Sequence, residues 1–322
     1  MLLASRNPTP SLRRRCSRWL NGIARSRMGR GLRKRGLTRR RAGAALKLGS
    51  ILTIGVVAII GAIEANVERV AVLGFHDIID PNRPEEQPPQ RAPVDSDYTR
   101  QDFERFLAYL VENNYWFLSA DELYDHFVKP NPDPIPEEFR NRPRVALSID
   151  DGYASAHAHI MRAAEAIQKR TGKTIEIIWF VNPAFLGRTD TELPRMTCED
   201  LKAGFEAGFY DVQSHTANHQ DLTTLEPDAV RIEFKQARDQ LANCLGDRDK
   251  RRTVAKHVAY PFGAVDEVAI KYARRYHLSG YLYDSRMLRS FPWRDRYRLS
   301  RLPVNRDTSV EKLQRLADGR WW

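Results

Sequence analysis

Residues 145–157 read VALSIDDGYASAH, an apolar run that ends in two adjacent aspartates and a glycine. On a continuing strand Asp150 and Asp151 would point to opposite faces. Both can reach one pocket only if the strand stops there and the chain turns, and Gly152 is placed to make that turn.

Outward from this stretch, short apolar runs alternate with longer segments of helical period, which predicts an α/β fold. The strand candidates are residues 69–75, 144–149, 174–181, 210–214, 257–260, 280–283 and 301–304. Between them, residues 99–114 put Phe103, Phe106, Leu107 and Leu110 on one helical face behind Thr99 as N-cap. Thr197 followed by Asp200 is a capping box opening a second helix. The proline-rich stretches 80–93 and 129–143 read as surface loops. There is no internal repeat, and residues 66–322 form one expected domain.

Polar residues then fall in register with the strands. His76 follows the first, Asp150 and Asp151 the second, His215 the fourth, and the Pro-Phe-Gly of residues 261–263 the fifth. Four strands delivering chemistry at their C-terminal ends predict an active site at the top of a parallel (β/α) barrel.

The net charge of +11 is confined to one end. Residues 1–47 hold 13 Arg and 2 Lys without an acidic residue, which leaves −4 on the remainder. A basic arm, residues 1–45, precedes an apolar segment, residues 46–65, in which Lys47 can snorkel to the interface. The expectation is a transmembrane signal anchor whose basic side stays cytoplasmic, placing the following domain on the periplasmic or extracellular side of the inner membrane. A cleaved signal peptide near Ala65 and a buried helix behind a nucleic-acid-binding tail are the alternatives. The expected partners are therefore the cytoplasmic membrane and no nucleic acid. Cys198 and Cys244 can pair in an oxidising compartment or stay free, and no CxxC pattern argues for structural zinc.

His215 and His219, four apart, would bring two imidazoles to one side of a helical turn. With Asp151 they make a three-donor set that leaves a catalytic metal an open position. Thr216 stands where a zincin carries glutamate. In this reading Asp151 binds the cation and Asp150 takes a proton from water that the cation polarises. Without the cation the two carboxylates should repel and one pKa should rise. Two carboxylates this close cannot flank a glycosidic bond, which argues against a glycosidase. Sugar rings stack on aromatic faces, and Tyr153, Trp179 and Trp293 are the candidates, with core packing the alternative for each. His126, His157, His159, His257 and His277 have no motif partners and read as structural.

These residues resemble the polysaccharide deacetylases of carbohydrate esterase family four, over about residues 70–305. SIDDGY stands for that family's T-F-D-D-G, SHTANH for H-[ST]-x-x-H, and AYPFG for R-x-P-[YF]-G. The resemblance implies a distorted barrel of about seven strands and a divalent metal, usually zinc, while the donor set also suits nickel, cobalt or iron. It also implies hydrolysis of N-acetyl groups from an amino-sugar polysaccharide. On that template Asp150 is the base, Asp151, His215 and His219 hold the metal, and the Phe262 N–H helps bind the oxyanion. The family's Arg, which pairs with the base, falls at Ala259, and no L-x-H lies near the C-terminus. LGFHDI, residues 73–78, resembles an element of the exported poly-β-1,6-N-acetyl-D-glucosamine deacetylases of biofilm matrix, in which the early histidine is the acid. His76 takes that role here, with Asp77 either orienting it or capping the loop. The residues 97–123 resemble the same branch, although its members space the metal histidines by five. An anchored enzyme of this kind would work beside a polysaccharide synthase or export machinery. The alternatives are a deacetylase of peptidoglycan or chitin oligosaccharides, and a non-catalytic polysaccharide-binding or export scaffold.

Overall fold

Each strand expected from the sequence is present in the structure, a computed structural model that describes residues 67–86, 95–191, 193–290 and 295–320. In chain order the strands are β1 (Arg69–Phe75), β2 (Asp77–Ile79), β3 (Asp97–Thr99), β4 (Trp116–Phe117), β5 (Arg144–Asp150), β6 (Ile177–Val181), β7 (Tyr210–Ser214), β8 (His257–Ala259), β9 (Ser279–Tyr281), β10 (Leu288–Arg289) and β11 (Leu302–Pro303). The main helices are α1 (Arg100–Glu112), α2 (Ala154–Thr171), α3 (Cys198–Glu206), α4 (Pro227–Leu245), α5 (Glu267–Tyr276) and α6 (Val310–Ala317).

Strands β1, β5, β6, β7, β8 and β9 follow one another in the sheet, all parallel. The next stretch of chain brings the ladder back to its start. Tyr281 bridges Leu299, and β11 pairs with β1 through Leu73↔Leu302 and Gly74↔Pro303. This curled, parallel-rich sheet fits a (β/α) barrel. β10 runs antiparallel to the first residues of β1, β4 lies along the start of β5, and β2 pairs only with β3.

Side-chain alternation sorts the strand residues into two layers. Leu73, Phe75, Val145, Leu147, Ile149 and Trp179 pack outward with Phe103, Phe106, Leu107 and Leu110 of α1 and Ile160 of α2. Val72, Ala146, Ile178, Phe180, Ala259 and Tyr281 form a separate inner cluster. Burial on both faces is why these strands read as continuous apolar runs. The inward parity continues upward to polar residues: Gly74 and His76 after Val72, Ser148 and Asp150 after Ala146, and His215 after Asp211 and Gln213.

Thr99 caps α1 by accepting from the Asp102 N–H, and the Thr197–Asp200 capping box opens α3. Cys198 and Cys244 form a disulfide that ties the start of α3 to the end of α4, Cα to Cα 5.8 Å. The proline-rich stretch from residue 129 to 143 is largely exposed, as expected. The basic arm and the apolar segment 46–65 lie outside the described residues. Among the described residues no helix is long and apolar enough to cross a membrane.

Candidate active site

The two carboxylates share one cavity because the turn begins a residue earlier than the glycine. β5 ends at Asp150, and Asp151 itself is left-handed, φ 74°, followed by Gly152 at φ 75°. Aspartate is one of the few side chains that adopts this region readily. The turn is pinned: the Asp151 N–H donates to the Phe180 carbonyl (3.0 Å), and Arg195 Nη1 donates to the Asp151 carbonyl (2.7 Å).

His215 and His219 lie on an irregular loop rather than a helical turn, which corrects the sequence expectation. Thr216 and His219 both have positive φ. Buried Asn182 donates through its side-chain amide to the carbonyls of His215 and Thr216, and Glu233 accepts from both the backbone and side-chain nitrogen of Asn218. These bonds fold the loop so that both imidazoles meet Asp151. His219 Nε2 is 3.3 Å and His215 Nε2 3.6 Å from Asp151 Oδ1. His215 Nδ1 lies 2.9 Å from the Ala259 carbonyl, to which it donates, so Nε2 keeps its lone pair toward the cavity. Burial pushes the His215 pKa down to about 4, which keeps the ring neutral, the form that binds a cation.

Asp151 Oδ1 is buried and has no hydrogen-bond partner. An orphaned carboxylate oxygen facing two imidazole nitrogens, with donor atoms of the three residues all within 4.8 Å of one another, fits a divalent cation. Among the described residues this is the one such group.

Asp150, completely buried, is held by a residue that the sequence reading missed. Arg301, also completely buried, donates through Nη1 to Oδ1 (2.7 Å) and through Nη2 to Oδ2 (2.9 Å) of Asp150. Nη1 also donates to Ser148 Oγ (3.1 Å), and Nε donates to the Leu282 carbonyl (3.2 Å). The arginine absent at position 259 thus arrives from the segment that closes the barrel beside β1. Ala259 contributes its carbonyl to His215 instead.

This pair overturns the expectation that one of the two aspartates would have a raised pKa in the absence of a cation. Burial alone would raise both carboxyls. Arg301 and then His215 and His76 outweigh it at Asp150, holding its pKa at about 2. At Asp151, His215, then His76 and His219, likewise outweigh burial and lower its pKa. The like charges are tolerated because a buried guanidinium grips Asp150 through both of its oxygens.

His76 stands at the end of β1, near enough to lower both aspartates. Asp77 accepts from Ser155 Oγ at 2.6 and 2.8 Å, which ties β2 to the first turn of α2. Phe262 follows β8 at φ 59°, its ring edge-on to His219 with centroids 4.7 Å apart. Tyr153 precedes α2, nearly buried beneath the Arg195 guanidinium. Trp179 is completely buried against Tyr210 on the outer side of β6, which removes it from the sugar-stacking candidates. Trp293 lies outside the described residues. The five histidines without motif partners have structural ones. His257 lies between Ser279 and Asp121, His159 bonds Glu86, His277 the Ala255 carbonyl, His157 Tyr210, and His126 the Asp133 carbonyl.

Residues 138–281 match the family model described as polysaccharide deacetylase. That stretch is a polysaccharide deacetylase domain. It is therefore placed among hydrolases that act on N-acetyl amide bonds. None of the curated proteins matches the sequence. Among solved structures the chain is similar to a polysaccharide deacetylase from Bacillus cereus (19% identity, TM-score 0.62, covering 78% of this chain and 69% of that one). It is also similar to IcaB from Ammonifex degensii (19%, TM-score 0.57, 78% and 97%) and to a de-N-acetylase from Aggregatibacter actinomycetemcomitans (17%, TM-score 0.57, 77% and 99%). At these identities the likeness is one of fold.

Proposed function

We propose that this protein removes N-acetyl groups from poly-β-1,6-N-acetyl-D-glucosamine, on the exported side of the cytoplasmic membrane, with a divalent cation held by Asp151, His215 and His219. The observation that carries the reading is the pairing of an ionised, arginine-anchored aspartate with a three-donor group beside it. A scaffold without catalysis needs neither. When bound, the cation supplies Lewis-acid polarisation and lowers the pKa of water.

The chain's own residues supply the rest. Asp150 stays ionised over the whole working pH range and accepts a proton from the attacking water, its orientation fixed by Arg301. The Phe262 N–H stabilises the charge that develops on the acyl oxygen. His76 donates a proton to the departing nitrogen. Water and the acetamide give acetate and a free amino sugar, so atoms and charge balance.

Support for the polymer comes from LGFHDI and from the likeness to IcaB and the Aggregatibacter de-N-acetylase. The Cys198–Cys244 disulfide suits an oxidising compartment, as the anchor reading requires. The test is acetate release by the purified, zinc-loaded protein from β-1,6- and β-1,4-linked N-acetylglucosamine oligomers. Preference for β-1,6 is expected. Preference for β-1,4 would move the substrate to peptidoglycan or chitin oligosaccharides, and release from neither would sink the enzymatic reading.

A further inference from the structure

A histidine that delivers a proton to one atom is ordinarily held through its other ring nitrogen. In His76 that hold is missing: Nδ1 is buried without a hydrogen-bond partner. What meets the imidazole is a ring. Tyr283 stacks on it, centroids 5.5 Å apart and planes inclined by 25°. The same ring carries the Arg301 guanidinium, whose central carbon is 3.9 Å from its centroid, and Arg301 grips the proposed base. The Tyr283 hydroxyl is itself buried and lies beside Asp150 without a well-formed hydrogen bond, so packing of the ring is the main hold on its position. Space for that ring comes from Gly74, where an added side-chain carbon would fall 2.3 Å from the hydroxyl oxygen. His76, immediately after β1, stands two residues beyond Gly74 and so on the same side of the sheet.

We propose that Tyr283 is a positioning residue that sets the plane of His76 against the Arg301–Asp150 pair, and that position 74 is glycine to admit it. This rests on the deacetylase reading and names the part that aims the acid. In the step concerned the amide C–N bond breaks, the nitrogen takes the proton that His76 gives up, and the acyl group leaves as acetate with the oxygen of water.

An amine must be protonated to leave, whereas 4-nitrophenolate leaves without a proton. Aim of the acid therefore shows in the ratio of amide to ester hydrolysis. The zinc-loaded full-length protein is assayed for acetate release from N-acetylglucosamine oligomers and for hydrolysis of 4-nitrophenyl acetate, with zinc content measured alongside. Tyr283→Leu and Gly74→Ala should each lower amide turnover ~30–100-fold, the size of a 1 Å misplacement, and lower ester turnover at least ten times less, with zinc retained. Tyr283→Phe, which keeps the ring, should restore most of the amide rate. Should the leucine variant not fold, Tyr283→Met, flexible enough to fill the space, carries the same expectation. Equal losses on both substrates, or none, overturn the proposal while leaving the deacetylase reading intact. If His76→Ala spares the amide rate, the acid assignment itself falls and the proposal with it.

Discussion

The two ends of the barrel both gather carboxylates, and they hold them in opposite states. At the C-terminal end Asp150 is kept ionised, its pKa at about 2, by Arg301 and the imidazoles that face it. At the N-terminal end a cavity of about 670 Å³ is lined by Asp121, Glu122, Glu176 and Asp211. There burial, and then the neighbouring carboxylates, push Glu176 up to about 8, and burial raises Asp211 as well. Asp211 has the Ala120 N–H (2.6 Å) and the Gln213 amide (2.5 Å) as donors, while Arg251 opposes the rise at Glu176 without cancelling it. The same inward parity delivers acids to both ends. A buried guanidinium arrives at only one of them, and that end has the charge that the proposed chemistry needs.

The comparison breaks most visibly if Arg301 is removed. Arg301→Met should lower acetate release by ~10³-fold or more and cost about 3–5 kcal/mol in urea unfolding at neutral pH, because Asp150 is left buried and unpaired. It should also raise the pKa of Asp150, read as a shift of the acidic limb of kcat/KM to higher pH. An unshifted limb would mean that Arg301 does not set the charge of the base.

Asp150→Asn should lower turnover by ~10²–10⁴-fold, the range of a lost general base, with zinc content unchanged. His215→Ala should lose both zinc and activity. Elemental analysis of the purified variants separates the two, and loss of zinc from Asp150→Asn would merge roles that the geometry keeps apart.

The smallest effect on turnover is expected at the opposite end. A carboxyl whose folded pKa lies above its unfolded value of 4.5 favours folding most below that value, and the advantage is lost as pH rises toward about 8. Glu176→Gln should therefore flatten the fall in stability between those limits and add stability at pH 8, by at most about 4 kcal/mol, read as the urea midpoint against pH. Deacetylation should change less than about twofold. A large loss of activity in this variant would show that the two ends are coupled.

Much of this protein was legible before any coordinates. Continuous apolar runs marked the strands because both faces of a parallel sheet are buried, and β1 and β7 fall at the expected residues. The sharing of one cavity by Asp150 and Asp151 followed from strand geometry. Arg301 stayed hidden because its partner lies 151 positions away. The available signal was a lone arginine opening an otherwise apolar strand segment at 301–304. Spacing alone misled at His215 and His219, since four residues apart suits a helical turn as well as a loop braced by Asn182 and Glu233. Trp179 carried no mark of which side of β6 it would face.

Residue chemistry and strand period, both local properties, determined the α/β architecture, the carboxylate pair and the donor types of the site. The tertiary structure decided which charges meet: that Asp150 faces a guanidinium while Glu176 faces other acids, and that His76 meets Tyr283. Those choices depend on ring closure between β11 and β1 and on burial, and electrostatic energy in a buried site varies with distance and solvent access, which one-dimensional spacing does not encode.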